Sequence, residues 1–428
     1  MGAASNAALE GPLVLEQPTF GRRLRELRLA RGLSQAEVAE GGLSTAYLSR
    51  LESGARPPTA KVLEHLVERL GVQPSTFQTV ELSPLGEVLA RATSADDQGT
   101  TALPLLDAAV RESGDKDVDL RWVSLWKLTQ LHARQGRLPE ALAAARTLAA
   151  LSDQIGVPLL RERVHTHLAW CLRESGEIAE ALVSAQAAVA IAEEHAIPQP
   201  DTVKARLVLI SVLAESNRLV EAHAEADKLL AVTEELNGLA LAEVLWSIAN
   251  VHIREADPVG AAELLDRALR HLDSRESPLL WMRLRMAAAS LNLQMNPPRV
   301  ESAERLLNEA EAVVKIIGTP VHEIELDVIK AHLAFQQGDL GAARELYERV
   351  APSMPQLSYR DRVRVELLHN QILILEGETQ TGVRHIEELA SKAQEHGNAH
   401  LVSEIWRVLA TTLSGPAQAK RPPAPPSR

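Results

Sequence analysis

Residues 34–54 read SQAEVAEGGLSTAYLSRLESG, and the punctuation of this stretch decides the fold of the N-terminal part of the chain. Ser34, followed three residues on by Glu37, is a capping box and opens a short helix over Gln35 to Glu40. Gly41-Gly42 turns that helix, because glycine adopts the backbone conformations that a tight turn demands. Ser44 caps a second helix, whose Leu48 and Leu51 look inward while Thr45, Ala46, Ser49 and Arg50 look outward. Gly54 is placed to end it.

The flanking sequence completes a small bundle. Upstream, FGRRLRELRLARG sets Phe20, Leu24, Leu27 and Arg28 along one helical face and stops at Gly32. Downstream, Pro57-Pro58 precede Thr59, a third N-cap, and AKVLEHLVERLGV forms a fourth amphipathic helix. Between Phe20 and Val72 stand nine bases and six acids, a balance of +3 (9 − 6). The whole chain carries −12, so the remainder carries −15 (−12 − 3). A basic module on an acidic body directs contact with a polyanion to the module alone.

The run LRLARGLSQAEVAEGGLSTAYLSRLESGARPPTAKVLEHLVERLGV resembles the DNA-binding helix-turn-helix domain of phage-repressor-like (XRE or Cro/C1-type) regulators, over residues 20–72. The resemblance rests on the L-S-Q-x-E-x-A entry, the small Ala39, the Y-L-S-R-L-E-x-G stretch and the R-x-P-T start of the next helix. The turn is one residue shorter than the commonest form. The resemblance implies that the helix after Ser44 is a recognition helix for the major groove of duplex DNA. Ser44, Thr45 and Ala46 then sit at its base-facing end, and Arg50 is placed to fork onto guanine or a phosphate. Gln35 is expected at the DNA backbone or a base, and Tyr47, Ser49 and Arg56 at phosphates. Arg28 and Glu52 occupy positions that pair in a buried salt bridge in similar domains.

Beyond about residue 84 the pattern changes to paired helices. Of the 428 residues 46% are hydrophobic but only 3% aromatic, so the core is built of Ala, Leu and Val, which favours packed helices. The segments ARQGRLPEALAAA, RESGEIAEALVSA, AESNRLVEAHAEA, READPVGAAELLD and QQGDLGAARELYE share a turn followed by a small residue and a polar-apolar helix start. The turn residues Gly136, Gly176, Asn217, Asp257, Asn296, Gly338 and Gly377 lie 40, 41, 40, 39, 42 and 39 apart. A fixed period over most of a chain predicts a solenoid. The small residues Ala141, Ala181, Ala222, Ala262 and Ala343 let paired helices close up and resemble the second helix of a tetratricopeptide (TPR) repeat.

The expected architecture is all-α: an N-terminal phage-repressor-like helix-turn-helix domain followed by a right-handed TPR-like α-solenoid. Its expected parts are a disordered N-terminal arm (1–18), the DNA-binding domain (19–78), a helical connector (79–116), the repeat array (117–414) and a disordered Pro-rich tail (415–428). This combination resembles the peptide-pheromone receptor superfamily of Gram-positive bacteria. The resemblance implies an effector, a short peptide held on the concave side, and a homodimer on paired half-sites. The alternative is an adaptor whose repeats dock a protein partner with no small ligand.

On the first helix of each pair, the positions 13, 10, 6 and 3 residues before the turn share one face. There lie Trp126, Gln130, Arg163, Trp170, Arg173, Lys204, Arg254 and His332, the candidate effector contacts, beside Val123, Val244 and Arg283. Guanidiniums suit carboxylates and indoles suit apolar side chains. The alternative for each base is pairing with an acid of a neighbouring helix, such as Glu162, Glu215 or Glu255. The chain has 14 histidines but no H-E-x-x-H and no cysteine pair, so no metal, cofactor or catalytic residue is expected. Cys171 is the single cysteine and reads as a small core residue. No apolar run approaches the ~18–20 residues of a membrane span, and a cytoplasmic location is expected.

Overall fold

The computed structural model describes residues 17–77, 83–94, 102–114, 117–231 and 238–418. The arm expected over 1–18 lies outside the described residues apart from Gln17 and Pro18, and so does the tail beyond 418. Among the described residues every regular element is helical. The chain divides into two compact units, Met1–Glu87 and Val88–Arg428.

The first unit holds α1 (Thr19–Ala30), α2 (Gln35–Ala39), α3 (Thr45–Glu52) and α4 (Ala60–Leu70). The expected caps are present: Ser34 closes a full capping box with Glu37, Ser44 accepts from the Tyr47 N–H, and Thr59 accepts from the Val62 N–H. Phe20, Leu24, Val38, Leu48, Leu51, Leu66 and Phe77 form the core, with the Phe20 and Phe77 rings 5.0 Å apart. Gly21 allows α1 to lie on the end of α3: a Cβ there would sit 2.2 Å from the Leu51 carbonyl oxygen. Gln17 fastens the same junction, its amide donating to the carbonyls of Leu51 (3.0 Å) and Arg56 (2.7 Å).

The connector segment contributes α5 (Pro84–Ser94) and α6 (Ala102–Glu112). Seven antiparallel pairs follow: α7 (Val118–Arg134) with α8 (Leu138–Ile155), α9 (Pro158–Ser175) with α10 (Ile178–Glu194), α11 (Asp201–Glu215) with α12 (Leu219–Leu230), and α13 (Gly238–Arg254) with α14 (Pro258–His271). Then come α15 (Pro278–Gln294) with α16 (Val300–Ile317), α17 (Pro320–Gln336) with α18 (Leu340–Val350), and α19 (Tyr359–Leu375) with α20 (Thr379–Glu395). A last helix, α21 (Ala399–Gln418), covers the end of the array and runs past the expected boundary at 414.

The inter-helix turns explain the period. Gly136, Gly176, Asn217, Gly338 and Gly377 all have positive φ, the conformation that ends one helix and reverses the chain. In the fourth repeat Ala256 takes that conformation instead of Asp257, whose carboxylate caps α14 by accepting from the Gly260 N–H. The register there shifts back by one. The tightly packed small residue is Ala261, fully buried like Ala141, Ala181, Ala222 and Ala343, in place of the expected Ala262. By the same shift Val244 belongs to the core and Glu243 takes the wall position. In the seventh repeat the small residue is Gly382, where a Cβ would meet Ile374 Cγ1 at 2.6 Å.

The array also touches itself across several repeats. A Cβ on Gly136 would lie 2.5 Å from Gln356 Cβ, and one on Gly176 would lie 2.6 Å from Tyr359 Cγ. Helix α9 meets α19, and α11 meets α21. The first repeats and the last are therefore in direct contact, and α19 and α21 stand against part of the inner wall.

Candidate functional site

Two places concentrate polar chemistry. The first is the outer face of α3. Ser44, Thr45, Ala46, Ser49 and Arg50 are exposed together, and Arg56 is exposed just beyond the helix. The Arg56 guanidinium lies over the Tyr47 ring, 4.9 Å from its centroid, so these two expected phosphate contacts support one another. Arg50 is held along its own helix by an Nε bond to the Ala46 carbonyl at 3.2 Å.

Beneath this face lies a fixed brace. Arg28 on α1 donates through Nε and Nη2 to both Glu52 carboxylate oxygens (2.6 and 3.0 Å), and through Nη1 to the Leu33 carbonyl (2.9 Å). Burial alone would push the Glu52 carboxyl up, but the Arg28 guanidinium and the Gln35 amide hold it below its ordinary value. Gln35 Nε2 donates to Glu52 at 2.8 Å, so one donor of this expected DNA contact is spent on the brace, while its side chain stays partly exposed at the start of α2. A glutamine at the start of α2 reaches Glu52 because α1, α2 and the end of α3 meet at that point. Arg69 on α4 donates to Glu40 (2.7 Å), at the end of α2 just before the Gly41-Gly42 turn.

The second place is the interior of the array. Trp126 and Trp170 belong to a ladder with Trp122 and His167, with successive ring centroids at 5.6, 5.2 and 5.6 Å. Burial pushes the His167 imidazole down to about 4, so it stacks as a neutral ring at neutral pH. Trp122 donates to Ser152 Oγ at 2.7 Å. Gln130 and Lys204 are exposed on the same wall. Arg163 forms a two-pronged pair with Asp201 on α11 (3.0 and 2.8 Å).

Arg173 and Arg254, expected as open forks for an effector, are not open. Both donate to the same oxygen of Glu215, at 3.2 Å each, and Arg173 also pairs with Glu174. The local pairing weighed as the alternative is what forms, because α9, α11 and α13 place these groups on adjoining helices. Across the interior stand Arg360 and Arg364 of α19 and His400 and Glu404 of α21. Arg364 donates to Glu404 at 2.9 Å, while Arg360 approaches it only to 3.8 Å. Burial opposes ionisation of Glu404, but Arg364 and Arg360 overcome it and hold the carboxyl at about 2. Arg254 goes the other way: burial, then the facing Arg360, push it down to about 9. His332 lies in the same interior, pushed down to about 4 by burial and then by Arg364.

Sequence reasoning named Glu215 as a pairing acid but missed Glu174, Arg360, His400 and Glu404 as members of this interior. One signal was available. The residues two before each turn are Arg134, Glu174, Glu215 and, counted from Ala256, Arg254, a row of alternating stretches of charge on one face. Nothing in the repeat period indicates that α19 and α21 return to meet that row.

Comparison with known proteins agrees with this division. Residues 19–79 match the family model described as a helix-turn-helix domain. Over 53 residues the chain is 47% identical to an uncharacterized HTH-type transcriptional regulator of Sinorhizobium fredii, covering 12% of this chain and 69% of that protein. The chain belongs to this family of helix-turn-helix transcriptional regulators through its N-terminal unit. It is 33% identical over 124 residues to the propionyl-CoA carboxylase regulator of Cereibacter sphaeroides, covering 28% of this chain and 27% of that protein. The chain thus spans about a quarter of that relative's length. In three dimensions it is similar to the Rap conjugation gene regulator of plasmid pLS20 solved with a peptide, with a TM-score of 0.50, 12% identity and coverage of 91% of this chain and 97% of that one. At that identity the likeness is one of fold: a helical repeat array of the kind found in TPR proteins and peptide receptors.

Proposed function

We propose that the protein is a sequence-specific DNA-binding transcriptional regulator whose repeat array senses an effector, a short peptide. The observation that carries the DNA-binding reading is the exposed polar face of α3, seated on the Arg28–Glu52–Gln35 brace. A reading helix must be held rigidly while its outer side chains stay free. In this reading Thr45 and Ala46 meet base edges and Arg50 reads guanine, while Ser44, Tyr47, Ser49 and Arg56 hold phosphates. A homodimer binds paired half-sites about one helical turn apart. The peptide reading is supported by the peptide bound to the fold relative and by the wall of Trp126, Trp170, Gln130, Lys204 and Arg163. A location in the cytoplasm accords with this reading; among the described residues no helix is long and apolar enough to cross a membrane.

The test is selection of a binding site from genomic DNA with the full chain, followed by fluorescence anisotropy on that site. Arg50→Ala should cost about 1–3 kcal/mol on the selected site and little on unrelated duplex. Arg56→Ala should weaken both alike. No salt-dependent binding to any duplex would end the DNA-binding reading. For the effector, native mass spectrometry of protein purified from its own host should show a retained mass in the peptide range. A retained protein in its place would favour the adaptor reading.

A further inference from the structure

The end of α2 is held by side chains of α4. Helix α2 has five residues, too few to be stable alone, and the last four carbonyls of a helix lack donors within it. The Ala36 carbonyl accepts from the Glu40 N–H at 3.1 Å, and the Ala39 carbonyl from those of Gly42 (3.3 Å) and Leu43 (2.9 Å). The two carbonyls between them are met from α4. Arg69 Nη2 donates to the Glu37 carbonyl at 2.5 Å and to the Glu40 carboxylate at 2.7 Å. His65 Nε2 lies 3.0 Å from the Val38 carbonyl; a carbonyl only accepts, so this nitrogen carries the ring proton. Arginine and histidine here do for α2 what a C-cap does for a longer helix.

His65 also shapes the turn that leads to α3. Gly41 takes a left-handed φ of 88°, but Gly42 is not left-handed and is glycine for space. A Cβ on Gly42 would stand 2.6 Å from His65 Nδ1, 2.9 Å from Cε1 and 3.1 Å from Cγ. Swinging the ring aside to admit a methyl would break its bond to Val38. The imidazole is therefore a wedge, with the end of α2 on one side and the turn on the other. Leu43 and then Ser44, the cap of α3, follow directly. The far end of α3 is fixed by the Arg28–Glu52 brace, and its inner face by Leu48 and Leu51. Its near end, which carries Ser44, Thr45 and Ala46, is placed by this turn.

We propose that His65 and Arg69 are positioning residues for the reading of DNA sequence: from α4 they fix the end of α2 and the Gly41-Gly42 turn, and through them the base-facing end of α3. Neither touches DNA in this role. The inference rests on the DNA-binding reading above. It concerns discrimination between sequences more than affinity. Phosphate contacts from Tyr47 and Arg56 hold any duplex whatever the angle of α3, while base contacts tolerate little displacement.

The experiment uses the full chain, well below its melting temperature and at one salt concentration. It compares the Kd on the selected site with the Kd on an unrelated duplex. His65→Ala should lower the ratio of the two by at least about fivefold, the least that one lost base contact is worth, with binding to the unrelated duplex unchanged. His65→Gln, whose amide still donates to Val38, should restore most of the ratio. Arg69→Ala should act in the same direction, and Arg69→Lys, which keeps the charge and loses the fork, should fall between. A merely structural role would lower the folded fraction and weaken both duplexes alike, leaving the ratio where it was. Gly42→Ala tests the wedge from the other side. It should lower the ratio in the wild type and add nothing in His65→Ala, where the ring it meets is gone. The proposal is overturned if folded His65→Ala and Arg69→Ala proteins discriminate as the wild type does, or if Gly42→Ala costs the same with and without His65. Should His65→Ala fail to fold, an unchanged ratio in Gly42→Ala overturns it. A wild type that binds no duplex ends the DNA-binding reading and this inference with it, whereas a discriminating wild type with equally discriminating variants overturns this inference alone.

Discussion

The N-terminal module and the array each bury an arginine against a glutamate, with opposite completeness. Arg28 meets Glu52 through two short bonds, spends a third donor on a backbone carbonyl, and leaves the second carboxylate oxygen to be shared with Gln35. That pair is local and closed, and it sets the angle of one helix. In the array, one oxygen of Glu215 serves two arginines from neighbouring helices, and further guanidiniums arrive from the far end of the chain. The first arrangement makes a rigid surface for an outside partner. The second holds a mesh of charges whose partners are shared, and such a mesh responds to any added or removed charge.

The sharpest way to break this comparison is to remove the shared carboxylate. Glu215→Ala leaves Arg173 and Arg254 buried without it and should destabilise the array by about 3–5 kcal/mol, measured by urea unfolding. If the loss is under about 1 kcal/mol, the mesh is redundant and the contrast with the module disappears.

A second test reads the mesh through pH. Burial, then the facing Asp361, push the Glu325 carboxyl from 4.5 up to about 8. Between those values the folded state holds a proton that the unfolded state has lost, so this group lowers stability as pH rises through that window. Glu325→Gln removes the titration and should be more stable than wild type, by about 2–4 kcal/mol at pH 8 and by little near pH 4. His322 and His332, both pushed down to about 4, give the opposite slope between there and their ordinary 6.5. They are common to both proteins and cancel in the difference. A difference independent of pH would contradict the assignment.

The module is probed by Gly21→Ala. The added Cβ would press on the Leu51 carbonyl at 2.2 Å and the Glu52 carbonyl at 2.9 Å, both backbone atoms. Helices α1 and α3 must separate, at a cost of about 1–3 kcal/mol in the melting of the N-terminal unit. The smallest effect is that of Ser44→Ala, which removes the cap on the Tyr47 N–H and should cost about 1 kcal/mol. Because Ser44 also holds a phosphate in the proposed complex, the substitution should weaken binding to every duplex alike by slightly more than the stability loss explains.

How much of this was legible in the sequence follows the same division. In the module the signals are local: Ser34 with Glu37, Ser44, Thr59 and the inward leucines each act within one or two turns of their own helix. Even Arg28 with Glu52 was accessible through resemblance. Gly21 and Gln17 were not, because their reason for being lies on α3, thirty residues away (51 − 21). In the array the period exposed the pairs and the packed alanines, again local features. The one-residue error at Asp257 arose because a polar residue at a turn can either bend the chain or cap the next helix, and here it caps. The fate of Arg173 and Arg254 depends on helices packing side by side and on the return of α19 and α21, which no local pattern encodes.

The contacts of Gly136 with Gln356 and of Gly176 with Tyr359 join residues 220 (356 − 136) and 183 (359 − 176) positions apart. A stack of repeats ordinarily folds from any nucleus by nearest-neighbour growth, and its end units fray first. Here the ends are pinned to each other, so fraying at one terminus exposes the other. Contacts of that sequence span form after the repeats they join are in place, because closing so long a loop early costs chain entropy with nothing yet to offset it. The array should therefore assemble quickly as an open stack and close in a later, slower step. During synthesis the first two repeats must wait, with those turns uncovered, until nearly the whole chain has been made.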